Sequence, residues 1–222
     1  TLSTDDLPAL AERMHASADL MRWHGAELAA AMIELTLGAT AMGEGDPPLA
    51  LRCMHLSSHL YADRPAVRPH YLLTLAYLAN LFDQLQQGDS ADHYSQLAMR
   101  QLDQLTGQEH HLYRVGGACN LLALLLGNRG EVDLAQSILE RGTTWCQRDA
   151  FGEVPLDAVI ESIAPMRFTQ AQLLANAYQF EQAQAVYQAL DQLLQTQRAA
   201  AQAAELPRHL KQTYQMLDLG AQ

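Results

Sequence analysis

The sequence predicts an all-α fold, in which about nine to ten helices pair in antiparallel fashion and stack into an extended array. No stretch shows the apolar and polar alternation of a half-buried strand, and β-branched residues are scarce. Apolar residues instead recur at helical spacing in segments that glycine-centred breaks separate. Three of these breaks are alike and lie at nearly constant intervals: Gly45–Asp46, Gly88–Asp89 and Gly130–Glu131 are 43 and 42 residues apart.

Helix boundaries follow from caps and breakers along the chain. Segment 3–20 is expected to form an N-terminal capping helix, with Ser3 or Thr4 as N-cap. Asp46 is the expected N-cap of a later helix that has Pro47 at its first position. The elements expected after the cap are helices at 22–43, 47–61, 67–86, 90–105, two within 109–146, an irregular connection at 148–156, and helices at 157–177, 181–198 and 200–217, the last with a break or kink at Pro207.

The segment 120–142, NLLALLLGNRGEVDLAQSILERG, is the clearest copy of a repeated unit of two helices around a tight turn. Gly130 ends the first helix, Glu131 opens the second, and a small residue on the second helix faces back toward the first. This small position lies five residues beyond the break. It is occupied by Ala50, His93, Ala135 and, in a fourth copy that follows after 48 residues and has Tyr178 in place of glycine, Ala183.

The turn and second helix of each copy resemble those of the tetratricopeptide (TPR) repeat, in which small and large apolar residues of two helices meet at fixed positions. The segments that carry the resemblance are GDPPLALRCMHLSSHLY, GDSADHYSQLAMRQLDQL, GEVDLAQSILERGTTW and YQFEQAQAVYQALDQL. The resemblance implies a right-handed α-solenoid with four helix-pair repeats at 22–198, a C-terminal cap or linker helix at 199–222, and a single domain over 1–222. An interval of about 42 residues exceeds the 34 of an ordinary TPR and is typical of the longer TPR-like arrays of bacterial regulators.

Charge and apolar content limit the classes of partner. The chain has 25 acidic and 14 basic residues and a formal net charge of −11, so we expect no nucleic-acid binding. We also expect no membrane insertion, because the longest apolar run, 121–126, is far too short to span a bilayer. Three widely spaced cysteines and an acidic N-terminus without a signal-peptide core favour a reducing, cytoplasmic location.

The sequence shows no signature of catalysis, and we expect no cofactor and no metal ion. His55 and His59 have the spacing of two metal ligands on a helix, but no third ligand lies nearby in the sequence. The three cysteines lack a neighbouring base that would activate a thiol. Gly116 and Gly117 lead into an apolar helix without the lysine of a phosphate-binding loop, so we expect them to allow close helix packing.

By the TPR resemblance, the first helices of the repeats line an inner groove, where amide and basic side chains hold an extended peptide or a helix. Asn80 and Asn120 are the expected readers of the partner's backbone or carboxylates; alternatively, each bonds a nearby carbonyl inside the array. The candidate groove residues are Tyr77, Asn80, Phe82, Tyr113, Arg114, Asn120 and Asn176.

The leading hypothesis is therefore a protein- or peptide-binding repeat module, not an enzyme, that serves as the sensory or regulatory region of a bacterial signalling protein such as a diguanylate cyclase or a transcriptional regulator. The alternative is a sensor whose small-molecule ligand sits in the groove around Tyr77, Phe82, Tyr113 and Asn120. An open apolar groove would exceed what a soluble monomer normally exposes, so a homodimer is a further expectation. An enzyme with a scattered active site is the third hypothesis.

Overall fold

The computed structural model describes residues 7–147 and 156–202, and every regular element within those ranges is helical. The elements are α1 (Leu7–Trp23), α2 (Glu27–Gly43), α3 (Pro47–Tyr61), a 3-10 helix (Pro65–Val67), α4 (Arg68–Gln84), α5 (Gly88–Asp103), α6 (Arg114–Asn128), α7 (Val132–Gln147), α8 (Leu156–Asn176) and α9 (Phe180–Gln202). The predicted all-α fold is thus confirmed. Within the same ranges, no helix is both long and apolar enough to cross a membrane.

Consecutive helices pack in pairs, and the pairs stack on one another. α2 packs on α3, α4 on α5, α6 on α7 and α8 on α9, while α1 packs on α2. The first helices of successive pairs also touch: α2 reaches α4, α4 packs against α6, and α6 packs against α8. Each pair therefore contacts mainly its neighbours, which is the organisation of an α-solenoid.

One type of three-residue turn joins α1 to α2 and the two helices of every pair. Its middle residue has a positive φ, and these residues are Gly25, Gly45, Gln86, Gly130 and Tyr178. The next N–H closes the turn on a carbonyl five residues back, as between Asp46 N and Ala41 O at 2.8 Å. Glycine adopts this left-handed conformation without steric cost. Gln86 and Tyr178, with φ of 60° and 61°, adopt it within the same hydrogen-bonded turn.

These turns correct the register predicted for the second repeat. Gly88 does not break the chain: it is the first residue of α5, and the left-handed residue is Gln86. Five residues beyond Gln86 lies Ala91, which is fully buried, whereas His93 is exposed. The small position is therefore alanine after every one of these turns: Ala30, Ala50, Ala91, Ala135 and Ala183.

Caps and turns also determine where other helices begin and end. The helix expected at 22–43 begins only at Glu27, because the turn at Gly25 ends α1 first. Asp46 caps α3 as predicted, since its carboxylate accepts a hydrogen bond from the Leu49 N–H at 3.1 Å. The expectations that lie wholly or largely outside the described residues are the N-cap at Ser3 or Thr4, the connection at 148–156 and the last helix at 200–217.

The buried apolar residues form two clusters of unequal size. The larger one runs from α2 to α8 and consists mainly of leucines and alanines. The smaller one contains Ala11, Leu37 and Cys53, and it attaches α1 to α2 and α3. α1 thus has a small core of its own at the N-terminal end of the array.

Glycines set the closest helix approaches around α6. A Cβ added to Gly116 would lie 2.7 Å from Ser162 Cβ and 2.8 Å from Cys146 Sγ, so α6 meets α7 and α8 there, as expected from the sequence. A Cβ added to the next residue, Gly117, would meet only Leu73 Cδ1, at an ordinary 3.5 Å. A side chain at position 116 would therefore clash with its neighbours, whereas one at position 117 would fit.

We expect Gly116→Ala to lower the free energy of unfolding by about 1–3 kcal/mol, because overpacking outweighs the gain in helix propensity. Gly117→Ala is the matched control, and it should be neutral or stabilise by up to about 1 kcal/mol. Urea unfolding monitored by circular dichroism measures both. Equal effects of the two substitutions would contradict the close approach at Gly116.

Candidate functional site

A cavity of about 680 Å³ lies between α1, α2 and the connections that precede α4 and α6. Its walls are mostly apolar and are formed by Met14, Leu28, Ala29, Met32, Ile33, Thr36, Tyr61, Val67, His70, His110 and His111. Leu28 and Met32 keep 39% and 43% of their surface exposed, and they lie one helical turn apart on α2. None of the described residues that line the cavity is acidic. We call this site the ligand cavity.

Two buried polar side chains form one wall of the ligand cavity. Tyr61 and His70 are each 2% exposed, and their rings lie 5.3 Å apart. Among the described residues, neither the Tyr61 hydroxyl nor either ring nitrogen of His70 has a hydrogen-bond partner. His111 completes the wall, with its ring perpendicular to that of His70 at 5.1 Å. Buried polar groups without a partner are costly and rare, so they mark this wall as a place where a bound group would find donors.

The connection between α5 and α6 places the histidines at the ligand cavity. The Glu109 carboxylate accepts hydrogen bonds from the backbone N–H groups of Thr106 and Gly107, at 2.9 and 2.8 Å, and from Arg68 at 3.3 Å. Burial raises the pKa of Glu109, but the hydrogen bonds from Thr106 and Gly107 outweigh it and lower the pKa overall. The His110 N–H then donates to a carbonyl of the 3-10 helix region at 2.9 Å, which ties the two connections together.

The electrostatic environment keeps His70 neutral. Burial, together with the nearby Arg114 and His111, lowers the pKa of His70 to about 4. Burial raises the pKa of Tyr61 to about 12, although Arg114 opposes this shift. At neutral pH the wall therefore offers the Tyr61 O–H and one imidazole N–H as donors, together with one imidazole nitrogen as acceptor.

Arg114 adds a positive charge behind this wall. Its guanidinium lies over the ring of Tyr113, 5.3 Å from the ring centroid, and its Nε is buried without a partner among the described residues. It is close enough to lower the pKa of Tyr77, which burial otherwise raises. Of the residues predicted for the groove, Tyr113 and Arg114 thus lie beside the polar wall and Tyr77 lies near Arg114, but none of the three lines the ligand cavity.

The remaining predicted groove residues lie elsewhere. The Asn80 amide donates to the Ala76 and Leu121 carbonyls, both at 3.0 Å, so its N–H groups are used inside the array. Phe82 stacks on Tyr94 with a centroid distance of 5.3 Å. On α6 and α8, respectively, Asn120 has a buried Oδ1 that lacks a partner within the described part of the chain, and Asn176 is exposed.

Sequence reasoning missed Tyr61, His70 and His111. Tyr61 is the last residue of α3, His70 lies in the first turn of α4, and His111 lies in a connection. Only stacking of two pairs brings them together, and no periodic pattern relates their positions. A histidine followed by an apolar helix core, as at His70, was the one available signal, and it is ambiguous on its own.

Comparisons with known proteins identify no family for the chain. No family model matches it, and no curated protein matches it. Among solved structures, it is similar to a crystal structure described as a candidate kinesin light chain from Podospora anserina with nearly identical TPR-like repeats. That similarity has 16% sequence identity and a TM-score of 0.49, and it covers 87% of this chain and 96% of the other.

We expect Tyr61→Phe to raise the free energy of unfolding of the unliganded protein by about 1 kcal/mol, because it removes a buried hydroxyl that has no partner. Tyr94→Phe is the control, since the Tyr94 hydroxyl lies at the surface, 3.5 Å from His55 Nδ1. Thermal and urea unfolding give the two values. A destabilised Tyr61→Phe variant would show that the hydroxyl is hydrogen-bonded in solution.

His70 should make the fold sensitive to acid. Its folded-state pKa of about 4 lies below the ordinary value of 6.5, so the unfolded chain takes up the proton first as the pH falls. The stability that the neutral His70 contributes to the fold is therefore complete above pH 6.5 and is lost progressively as the pH falls to about 4. Through His70 the wild type should lose up to about 3 kcal/mol of its free energy of unfolding between pH 7 and pH 4, and His70→Gln should not show this loss. Urea unfolding across that pH range measures both. Parallel curves for variant and wild type would refute this.

Proposed function

We propose that the chain is a binding module without catalytic machinery of its own, and that it takes an apolar segment of a protein partner into the ligand cavity. The observation that supports this proposal is the combination of exposed Leu28 and Met32 with buried, unpartnered donors at Tyr61 and His70 among the described residues. An apolar anchor would cover the first two residues, and a backbone carbonyl or carboxylate would accept from the others.

By the TPR resemblance, we extend this proposal to a cellular role. The module would be the sensory or regulatory region of a cytoplasmic bacterial signalling protein, with an output domain such as a diguanylate cyclase or a transcriptional regulator. An α-solenoid suits this role, because a partner bound where two helix pairs meet would favour one arrangement of those pairs over others. The partner would then act as the signal.

Peptide display tests the proposal without knowledge of the partner. Peptides selected from a random library on the wild-type chain should lose binding by at least about 10-fold in Met32→Glu, because a charge in an apolar anchor site costs about 1.4 kcal/mol or more. Leu134→Glu on α7 is the matched control, since Leu134 is 40% exposed and does not line the ligand cavity. Failure to enrich any peptide, or equal binding to both variants, would contradict a peptide-binding cavity.

A small-molecule ligand is the second candidate, and the size of the ligand cavity favours it. Its volume of about 680 Å³ falls within the range of about 300–1,000 Å³ that is typical of such sites. Donors on one wall, the charge of Arg114 behind it and the lack of acidic lining residues in the described chain suit a ligand with an apolar body and an anionic head.

A thermal-shift panel of matched alkyl carboxylates, alcohols and amines separates this candidate from the first. A carboxylate at 100 times its dissociation constant should stabilise the wild type by about 2.7 kcal/mol, the alcohol less, and the amine not at all. The shift should shrink in Tyr61→Phe, whereas Tyr94→Phe should behave as wild type. A panel without any shift leaves the peptide as the occupant, and an equal response to acid and amine would exclude an anionic head.

A second copy of the chain is the other occupant expected from the exposed apolar residues. A dimer across the ligand cavity would give twice the monomer mass in light scattering at micromolar concentration, and Met32→Glu would dissociate it. A monomeric wild type would exclude it.

A further inference from the structure

A second cluster of chemically active side chains lies where α1, α2 and α3 meet. His15, Glu34 and Cys53 each contribute one potential metal-ligand atom, and these atoms all lie within 4.8 Å of one another. Within the described ranges, this is the one group of three such side chains that is close enough to share a metal ion. None of its members lines the ligand cavity.

Burial distinguishes this cluster from a surface patch. Glu34 and Cys53 are fully buried, and the His15 side chain is 23% exposed. His15 Nδ1 lies 3.2 Å from Glu34 Oε1, and His15 Nε2 lies 3.9 Å from Cys53 Sγ. The second carboxylate oxygen, Glu34 Oε2, is buried without a hydrogen-bond partner among the described residues. A buried carboxylate oxygen without a hydrogen-bond partner is costly.

Two arginines border the cluster, and one of them also pairs with a residue outside it. Arg22 Nη1 is 3.5 Å from Glu34 Oε1, at the limit of a hydrogen bond, while Arg22 also pairs with Asp19. Arg52 is exposed, and its Nη2 lies 3.0 Å from His15 Nε2. Arg22 Nη1 is itself buried without a hydrogen bond among the described residues. The arginines therefore compensate Glu34 only in part.

The thiol is protonated in the absence of a cation. Burial and the charge of Glu34 raise the pKa of Cys53 to about 12. A divalent cation between the sulfur and the carboxylate would offset both causes, because it supplies positive charge at the place where the two negative groups meet. Binding would then release the thiol proton to solvent and form one metal–sulfur bond.

We propose that His15, Glu34 and Cys53 bind one zinc-like divalent transition-metal ion, with a water or an exogenous group at the fourth position. Imidazole, carboxylate and thiolate together are a donor set that zinc accepts in tetrahedral geometry. His15 also lines a surface pocket of about 450 Å³ together with Arg52, so the cluster borders solvent on the side of His15. The ion would join α1 to the first helix pair.

Cobalt(II) is the probe for this site, because thiolate ligation produces a near-ultraviolet charge-transfer band and tetrahedral geometry produces intense visible bands. The full 222-residue chain, stripped with a chelator, should reach saturation at one cobalt per chain. Zinc should displace the cobalt and abolish the bands. A chain that develops no bands in excess cobalt overturns the proposal.

Variants assign the ligands. Cys53→Ser should abolish the charge-transfer band, whereas the double variant Cys119→Ala with Cys146→Ala should retain it. His15→Gln should weaken zinc binding at least about 100-fold, because even the loss of a residue that only orients a metal ligand costs about 10- to 100-fold. His59→Gln is the surface control, and it should bind as wild type. Circular dichroism checks that each variant is folded, and the partly exposed His15 provides a test that does not disturb the core.

X-ray absorption on the zinc-loaded chain gives an independent result. We expect one sulfur at about 2.3 Å and the remaining ligands, nitrogen and oxygen, at about 2.0–2.2 Å. Zinc without a sulfur neighbour, or metal binding that survives in both Cys53→Ser and His15→Gln, would assign the ion to surface histidines and refute the site.

Discussion

The distance between paired helices in this chain is set by a left-handed turn residue and by the alanine five positions later. The turn fixes where the second helix starts, and the buried alanine lets its backbone approach the first helix closely. Around α6 the same constraint is stricter, because Gly116 and Gly142 have no room for a Cβ next to their neighbours. Between successive pairs, leucines of the larger cluster fill the remaining space.

The short turn within each helix pair is nearly the same in every pair, so the repeats differ mainly in the longer connections between pairs. The segments that lead into α4 and α6 contain a 3-10 helix, a carboxylate bound by backbone N–H groups and the left-handed His111. Of the polar wall of the ligand cavity, His111 lies in one of these segments, while Tyr61 ends α3 and His70 lies in the first turn of α4. The regular part of the array thus holds the shape, and the groups that would recognise a partner lie in or directly beside the irregular connections.

The fold was accessible from the sequence because each of its causes is local. Asp46 caps α3 through a bond to a residue three positions away, and Gly130 turns the chain by itself. Errors arose where a local signal had two interpretations. Gly88 resembles a helix breaker but is the first residue of α5, and Gln86 takes a left-handed conformation that its residue type does not indicate.

The candidate sites were much less accessible, because each depends on contacts between distant helices. Asn80, chosen by resemblance to peptide-binding repeats, donates to carbonyls inside the array. His70 and Tyr61 become partners only when α3 and α4 pack. His15, Glu34 and Cys53 lie 19 residues apart from one to the next, on three helices, so no short motif could reveal them.

The separate small core beneath α1 has a consequence for how the molecule opens. In the described chain α1 packs on the small cluster of Ala11, Leu37 and Cys53 and not on the larger core, so it should open before the helices of that core do. Amide exchange in α1 would then report a local equilibrium of its own, largely uncoupled from the stability of α4 to α8. Whatever binds at the junction of α1, α2 and α3 would act on that local equilibrium first and would set how often α1 separates from α2 and α3.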